Sequence, residues 1–236
     1  MRQNIAALEL PGKVWLGQAP SEPVRLLGSG MPEVDRTLGG GVPRGDVSEI
    51  VGARSSGRTA LTHALLAAST RQGEVVAIVD FPDSLHPASL EVARAQLERV
   101  LWVRPPTLRS ALESTEIILD AGGFAAVLLD LDTPLARRFP GHVWPRLRRD
   151  ARRSGAALIV LSRYGLAGSF AALRVGCEQR QVLWSRRVFG GMRTHLTPER
   201  SVRGEMPGGD LRLGDSSGLS CRFEEMTAAL VAGSCV

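Results

Sequence analysis

The 236-residue sequence holds one lysine, Lys13, among its 29 basic residues; the other 28 are arginine. A GC-rich genome accounts for such a bias over a surface. The shortage still leaves open whether chemistry that needs a lysine can occur here. Cysteine is scarce as well: Cys177, Cys221 and Cys235 have no metal-ligand spacing, which argues against a disulfide framework and for a reducing compartment. The histidines (His63, His86, His142, His195) are scattered, without a zinc pattern. Long apolar runs are missing too. The stretches around Phe124–Leu129 and Ala156–Leu161 are strand-sized, far below the roughly 20 residues of a membrane span. The opening MRQNIAALELPGKVW carries no apolar signal core, so a cytoplasmic protein without membrane contact is expected.

What remains is an ordinary globular composition, 44% hydrophobic and 22% charged, long enough to bury a sizeable core. Net charge is +5, unevenly spread: residues 1–203 carry +8 and residues 204–236 carry −3. A basic body admits nucleic acid or acidic protein partners.

Short apolar runs alternate with helical stretches through the centre, the pattern of βαβ units and a mainly parallel sheet. Strands are expected at Val47–Val51, Val75–Asp80, Val100–Val103, Ala125–Asp130 and Ala156–Ser162. Helices are expected at Gly57–Arg71, Pro87–Leu97, Leu108–Leu119 and Val143–Arg153, the first with Leu61, Ala64, Leu65 and Ala68 facing the core. Gln181–Arg187 and Met192–Leu196 read as an antiparallel edge hairpin turning at Gly190-Gly191. The chain divides into an arm (1–26), an α/β core (27–203) and a Gly/Ser-rich acidic tail (204–236) with a short helix at Arg222–Val231.

The sharpest motif is Gly52-Ala-Arg-Ser-Ser-Gly57-Arg58-Thr59, close to the phosphate-loop pattern G-x-x-x-x-G-K-[ST]. It lies between an expected strand and an expected helix, where Gly52, Ser55, Ser56 and Gly57 can turn backbone N–H groups toward an anion. Thr59 and Asp130, the latter ending Phe124-Ala-Ala-Val-Leu-Leu-Asp130, are the candidates for Mg²⁺. Asp132 reads as a turn cap. Arg58 stands where the pattern has lysine, and its planar fork is not equivalent to a compact ammonium. ATP and Mg²⁺ are the cofactors the loop admits, and Arg58 counts against both.

Leu27-Gly-Ser-Gly-Met-Pro-Glu-Val-Asp35 through Pro43-Arg-Gly45, followed by the loop, resembles the entry to a RecA-type core. Val79-Asp80-Phe-Pro82-Asp83 resembles the RecA segment bearing the catalytic glutamate; by that likeness Pro82 takes the glutamate's place, with Asp83 one residue away. Ser162-Arg163 resembles the segment in which a glutamine senses the γ-phosphate, and Arg163 takes its place. The likeness runs over about residues 25–200 and implies a RecA-like P-loop core, a mainly parallel twisted sheet with helices on both faces and an antiparallel edge. Small size, the eroded loop and Leu10-Pro-Gly-Lys-Val-Trp15 resemble the ImuA family of RecA-like mutasome accessory proteins. That resemblance implies damage-induced translesion synthesis beside an ImuB-type inactive Y-family polymerase homologue and an error-prone C-family polymerase, with RecA as a further partner. Two other readings stay open: a working RecA- or KaiC-like DNA-stimulated ATPase in which Arg58 serves, and a SulA-type cell-division regulator.

Seven arginines crowd into one stretch: Arg137, Arg138, Arg146, Arg148, Arg149, Arg152 and Arg153. On a helix Arg146, Arg149 and Arg153 share a face, which can track phosphates of single-stranded or primed DNA. By the RecA likeness, residues 133–145 correspond to the first DNA loop. A solvated helix face is the alternative. Phe139 and Trp144 flank the loop, placed either to stack on bases or to anchor it. Arg180, Arg186, Arg187, Arg193, Arg200 and Arg203 form a second basic region, and Trp15, Trp102 and Trp184 read as packing residues.

Overall fold

The computed structural model describes residues 24–185, 188–204 and 206–213. Its frame is an eight-stranded sheet preceded by a small two-stranded one. The small sheet pairs β1 (Leu26–Leu27) with β2 (Val42–Pro43) around helix α1 (Pro32–Thr37). In the large sheet, β3 (Val47–Gly52), β4 (Val75–Asp80), β5 (Val100–Val103), β6 (Phe124–Asp130) and β7 (Ala157–Ser162) run parallel. The long strands β8 (Ala171–Ser185) and β9 (Val188–Ser201) follow, then β10 (Gly209–Leu213). β8 is parallel to β3, and the β8–β9 and β9–β10 pairs are antiparallel. The lateral order is β10-β9-β8-β3-β7-β6-β4-β5.

Alternation along the strands builds two cores. Val76, Ile78, Ala126, Leu128, Ala157 and Ile159 face one side, against α2 (Arg58–Arg71) and α3 (Pro87–Val92). Ala77, Val79, Val127, Leu129, Leu158 and Val160 face the other, against α4 (Leu108–Ala121) and α5 (Trp144–Ser154). Both faces are covered, so the strands read as near-continuous apolar runs. Each buried Val or Leu contributes roughly 1.5–3 kcal/mol of transfer free energy.

The helices follow from local chemistry. α4 starts where Thr107 Oγ1 accepts the Ser110 amide (3.1 Å) and Ser110 Oγ accepts the Thr107 amide (3.0 Å), a reciprocal cap. It buries Ala111, Leu112, Thr115, Ile118 and Leu119 and stops at Gly122, whose φ of +68° ends it. α2 buries Leu61, Ala64, Leu65 and Ala68 as their spacing requires.

Four details differ from the sequence reading. The helix expected over Pro87–Leu97 ends at Val92, because Arg94 adopts φ +64° and a one-turn 3-10 segment, Leu97–Arg99, leads into β5. The hairpin does not turn at Gly190-Gly191. Ser185 pairs with Val188, and both glycines sit inside β9. The sheet also continues past residue 203: Gly209–Leu213 pairs with Met192–Leu196, burying Leu211 and Leu213. Trp102 and Trp184 are not core residues, being 36% and 67% exposed. Trp15, the helix expected at 222–231, Cys221 and Cys235 lie outside the described residues. Among the described residues, no helix is long and apolar enough to cross a membrane.

Candidate functional site

Parallel strands bring their carboxyl ends to one edge, where open α/β sheets place their ligand crevice. Here that edge gathers Gly52 from β3, Asp80 from β4, Asp130 from β6 and Ser162 from β7. The loop from Gly52 to Thr59 turns tightly, with Gly52, Ser55 and Gly57 at φ +150°, +59° and +92°. Two of these positions are dictated by close approach. A Cβ on Gly52 would lie 2.3 Å from the Cys177 carbonyl oxygen, and one on Gly57 would meet Leu213 Cδ1 at 2.5 Å and Thr194 Oγ1 at 2.6 Å. The edge strands β8, β9 and β10 thus brace the loop from behind. Ser56 Oγ is buried without a hydrogen-bond partner, and Thr59 is exposed at the start of α2.

Arg58 is only 4% exposed. Its Nη1 donates to the Ser162 carbonyl at 2.5 Å, and its Nη2 lies 3.2 Å from Asp132 Oδ2. Asp132 is therefore no cap. Its other oxygen accepts Arg163 Nε at 2.9 Å, and Arg54 Nε approaches Oδ2 at 3.7 Å. One carboxylate collects three arginines from the phosphate loop, the start of α2 and the end of β7. Burial opposes ionisation of Asp132, but its three guanidinium neighbours hold the carboxyl below the usual range. With Arg58 committed to Ser162 and Asp132, the loop as arranged does not fit a triphosphate on this side chain.

The neighbouring carboxylates behave differently. Asp130 Oδ1 accepts the Asp132 amide at 2.8 Å, yet burial, with Asp80 and Asp132 close by, pushes its carboxyl up to about 7. Asp80 is buried and holds the following turn, accepting the Ser84 and Leu85 amides and the Trp102 indole N–H at 3.0, 2.9 and 3.2 Å. Asp83 is bound on both oxygens by Arg104, at 2.5 and 2.7 Å, and lines neither of the cavities at this edge. One cavity of about 250 Å³ is lined by Thr59, His63, Asp80, Ser89, Asp130 and Asp132. Burial pulls the His63 imidazole down to about 4, so this cavity carries a neutral histidine at pH 7. A cleft of about 560 Å³ opens over the loop itself, between Arg54, Pro82 and Met192. Among the described residues, no cluster of three or more potential ligands could hold a metal ion.

Glu49 is not among the residues expected from the sequence to matter here. It is fully buried in β3, where it accepts the Leu166 and Ala167 amides at 2.5 and 2.8 Å and Arg174 Nε at 2.7 Å. It pins the segment after β7. A lone carboxylate inside the apolar run Val47–Val51 was the available signal, since a buried charge needs partners.

Of the arginines singled out, those of α5 stay largely exposed at the surface but are paired with neighbouring carboxylates. Arg148 grips Asp46 through two hydrogen bonds at 2.7 and 3.0 Å, and Arg152 reaches the same carboxylate at 3.4 Å. Arg146 and Arg153 bind Glu116 and Asp120 on α4, each at 2.5 Å, and Arg149 lies 3.4 Å from Asp150. Asp46 precedes β3 while Gly52 ends it, so the carboxyl end of α5 lies at the opposite sheet edge from the loop. Arg137 stays on the loop side, stacked 4.5 Å over the Tyr164 ring, and Arg138 follows it. Phe139 and Trp144 are buried with ring centres 4.7 Å apart, anchoring the segment. In the second basic region, Arg200 donates to the Ala171 and Ser169 carbonyls, and Arg203 to those of Leu38, Gly39 and Gly41.

A parallel sheet covered on both faces, an antiparallel edge and a strand–loop–helix crevice define a RecA-like α/β protein. The chain belongs to the RecA N-terminal domain family, whose profile matches residues 11–138. It is 34% identical over 116 residues to Protein RecA of Rickettsia canadensis, covering 49% of this chain and 34% of that one. To Protein RecA of Thermus thermophilus it is 34% identical over 124 residues, covering 52% and 36%. The chain thus spans about a third of the length of the curated relatives it matches.

Proposed function

We propose that this chain is a non-catalytic, RecA-like accessory factor of damage-induced translesion synthesis, cytoplasmic and of the ImuA kind, with a degenerate phosphate loop. The observation that carries the reading is the Arg58 side chain, buried and bound to Ser162 and Asp132. Pro82 at the expected catalytic position and Arg163 at the expected γ-phosphate sensor support the same reading. Its work is then binding. Arg137 and Arg138, beside Tyr164 on the loop side, meet single-stranded or primed DNA, while the arginines of α5 serve as ties to carboxylates. The arm ahead of β1 and the part of the tail beyond β10 engage an ImuB-type polymerase homologue, an error-prone C-family polymerase and RecA.

Nucleotide turnover with and without single-stranded DNA tests the first half. No turnover above background is expected. DNA-stimulated hydrolysis that vanishes in Asp130→Ala would instead make the chain a working RecA- or KaiC-like ATPase, the reading favoured by the retained Thr59 and Asp130. Titration of single-stranded DNA at two salt concentrations tests the second half. Binding that weakens with salt is expected; protein partners without DNA affinity would favour a cell-division regulator of the SulA type.

A further inference from the structure

We propose that Asp132 is an internal stand-in for a bound phosphate, holding the phosphate loop permanently in the state that an anion would otherwise impose. The proposal rests on the reading of this site as non-catalytic and adds how it is regulated.

The arrangement has three parts. Asp132 offers two anionic oxygens, one to Arg163 at 2.9 Å and the other to Arg58 at 3.2 Å and Arg54 at 3.7 Å. These cations come from three places: Arg54 from the loop, Arg58 from the first position of α2 and Arg163 from just beyond β7. A phosphate in the crevice would collect the same groups, since guanidinium forks and clustered positive charge are what an oxyanion needs. The carboxylate is already there, fixed to β6 by the hydrogen bond from its own amide to Asp130. A tethered anion avoids the association cost that a free anion must meet, so it wins at ordinary concentrations.

The cluster also reaches past the loop. Arg58 grips the Ser162 carbonyl, and Ser162 Oγ donates to the Tyr164 carbonyl, whose ring lies under Arg137. The connection from crevice to surface arginine is closed without any ligand.

The test is removal of the internal anion in the full chain, with inorganic pyrophosphate as the probe. Wild type is expected to show no change in thermal midpoint up to millimolar pyrophosphate. Asp132→Asn and the smaller Asp132→Ser are expected to melt earlier in buffer alone and to be restored by pyrophosphate. Their affinity for it should be at least about tenfold above wild type, the worth of one released charged hydrogen bond. Asp132→Glu keeps the charge and is expected to stay unresponsive. Equal pyrophosphate response in wild type and Asp132→Asn would overturn the proposal. So would failure of both neutral variants to fold with pyrophosphate present, because Asp132 would then be only a structural tie. DNA-stimulated ATP hydrolysis by wild type is a separate result. It would sink the non-catalytic reading, whereas the pyrophosphate comparison alone decides the role of Asp132.

Discussion

The Arg58 guanidinium and the Asp132 carboxylate lie 3.2 Å apart and join the start of α2 to the end of β6. Both are largely withdrawn from solvent, their side chains 5% and 19% exposed. Removing the cation leaves the Ser162 carbonyl without its donor. Arg58→Ala is expected to lower stability by about 2–3 kcal/mol in urea unfolding. Arg58→Lys can keep one of the two contacts and should lose about half as much. An unchanged midpoint in Arg58→Ala would show that the side chain is not held in this position.

Glu49 supports the site from below. Glu49→Gln keeps shape and one acceptor but leaves Arg174 facing a neutral amide. A loss of about 2–4 kcal/mol is expected, with faster amide exchange at Leu166 and Ala167. Exchange there that matches wild type would mean that other contacts fix the segment.

His63 should withdraw stability on the acid side, against the opposite contribution of Asp130, whose raised carboxyl binds its proton first in the folded chain. Burial holds the His63 imidazole at about 4, below the ordinary 6.5, so the unfolded chain binds the proton first. The contribution is complete above pH 6.5 and shrinks as the pH drops towards 4, by at most about 3 kcal/mol. Unfolding free energies at pH 6.5 and pH 5 measure the slope. His63→Gln should lose this contribution, so that stability rises more from pH 6.5 to pH 5 than in wild type; an unchanged difference between the two pH values would refute the assignment.

The arginines divide into ties and contacts. Arg148→Ala removes a two-pronged grip on Asp46 and should cost about 1 kcal/mol of stability. The salt dependence of single-stranded DNA binding should hardly change. The Arg137→Ala/Arg138→Ala pair should do the reverse, lowering the salt slope by about 1.4 if each meets one phosphate. Fluorescence anisotropy at several salt concentrations reads both, and a swap of the two outcomes would move the DNA surface to α5.

Gly57 separates tight packing from free space. Its φ of +92° and the nearness of Leu213 and Thr194 leave no room for a methyl group. Gly57→Ala should push β10 from the sheet edge, by about 2–4 kcal/mol of lost stability. Limited proteolysis near residues 204–213 would reveal the displacement, and protection equal to wild type would refute it.

The sequence by itself determined the α/β alternation, the loop between β3 and α2, and the carboxylate ending β6. Those signals are local: apolar runs of strand length, helical spacing and a short motif with fixed offsets. It also showed that Arg58, Pro82 and Arg163 depart from the RecA-like pattern. Only the tertiary structure decided what those departures do. Arg58 and Asp132 are 74 positions apart in the chain, and their ion pair exists because the lateral order sets β3, β7 and β6 side by side. The same distance effect turned a helix face of arginines into ties to Asp46, Glu116 and Asp120. Charge is legible in a sequence, but its partner is fixed by which elements pack together, and here that packing sets much of the α5 charge against carboxylates of α4 and of the turn before β3.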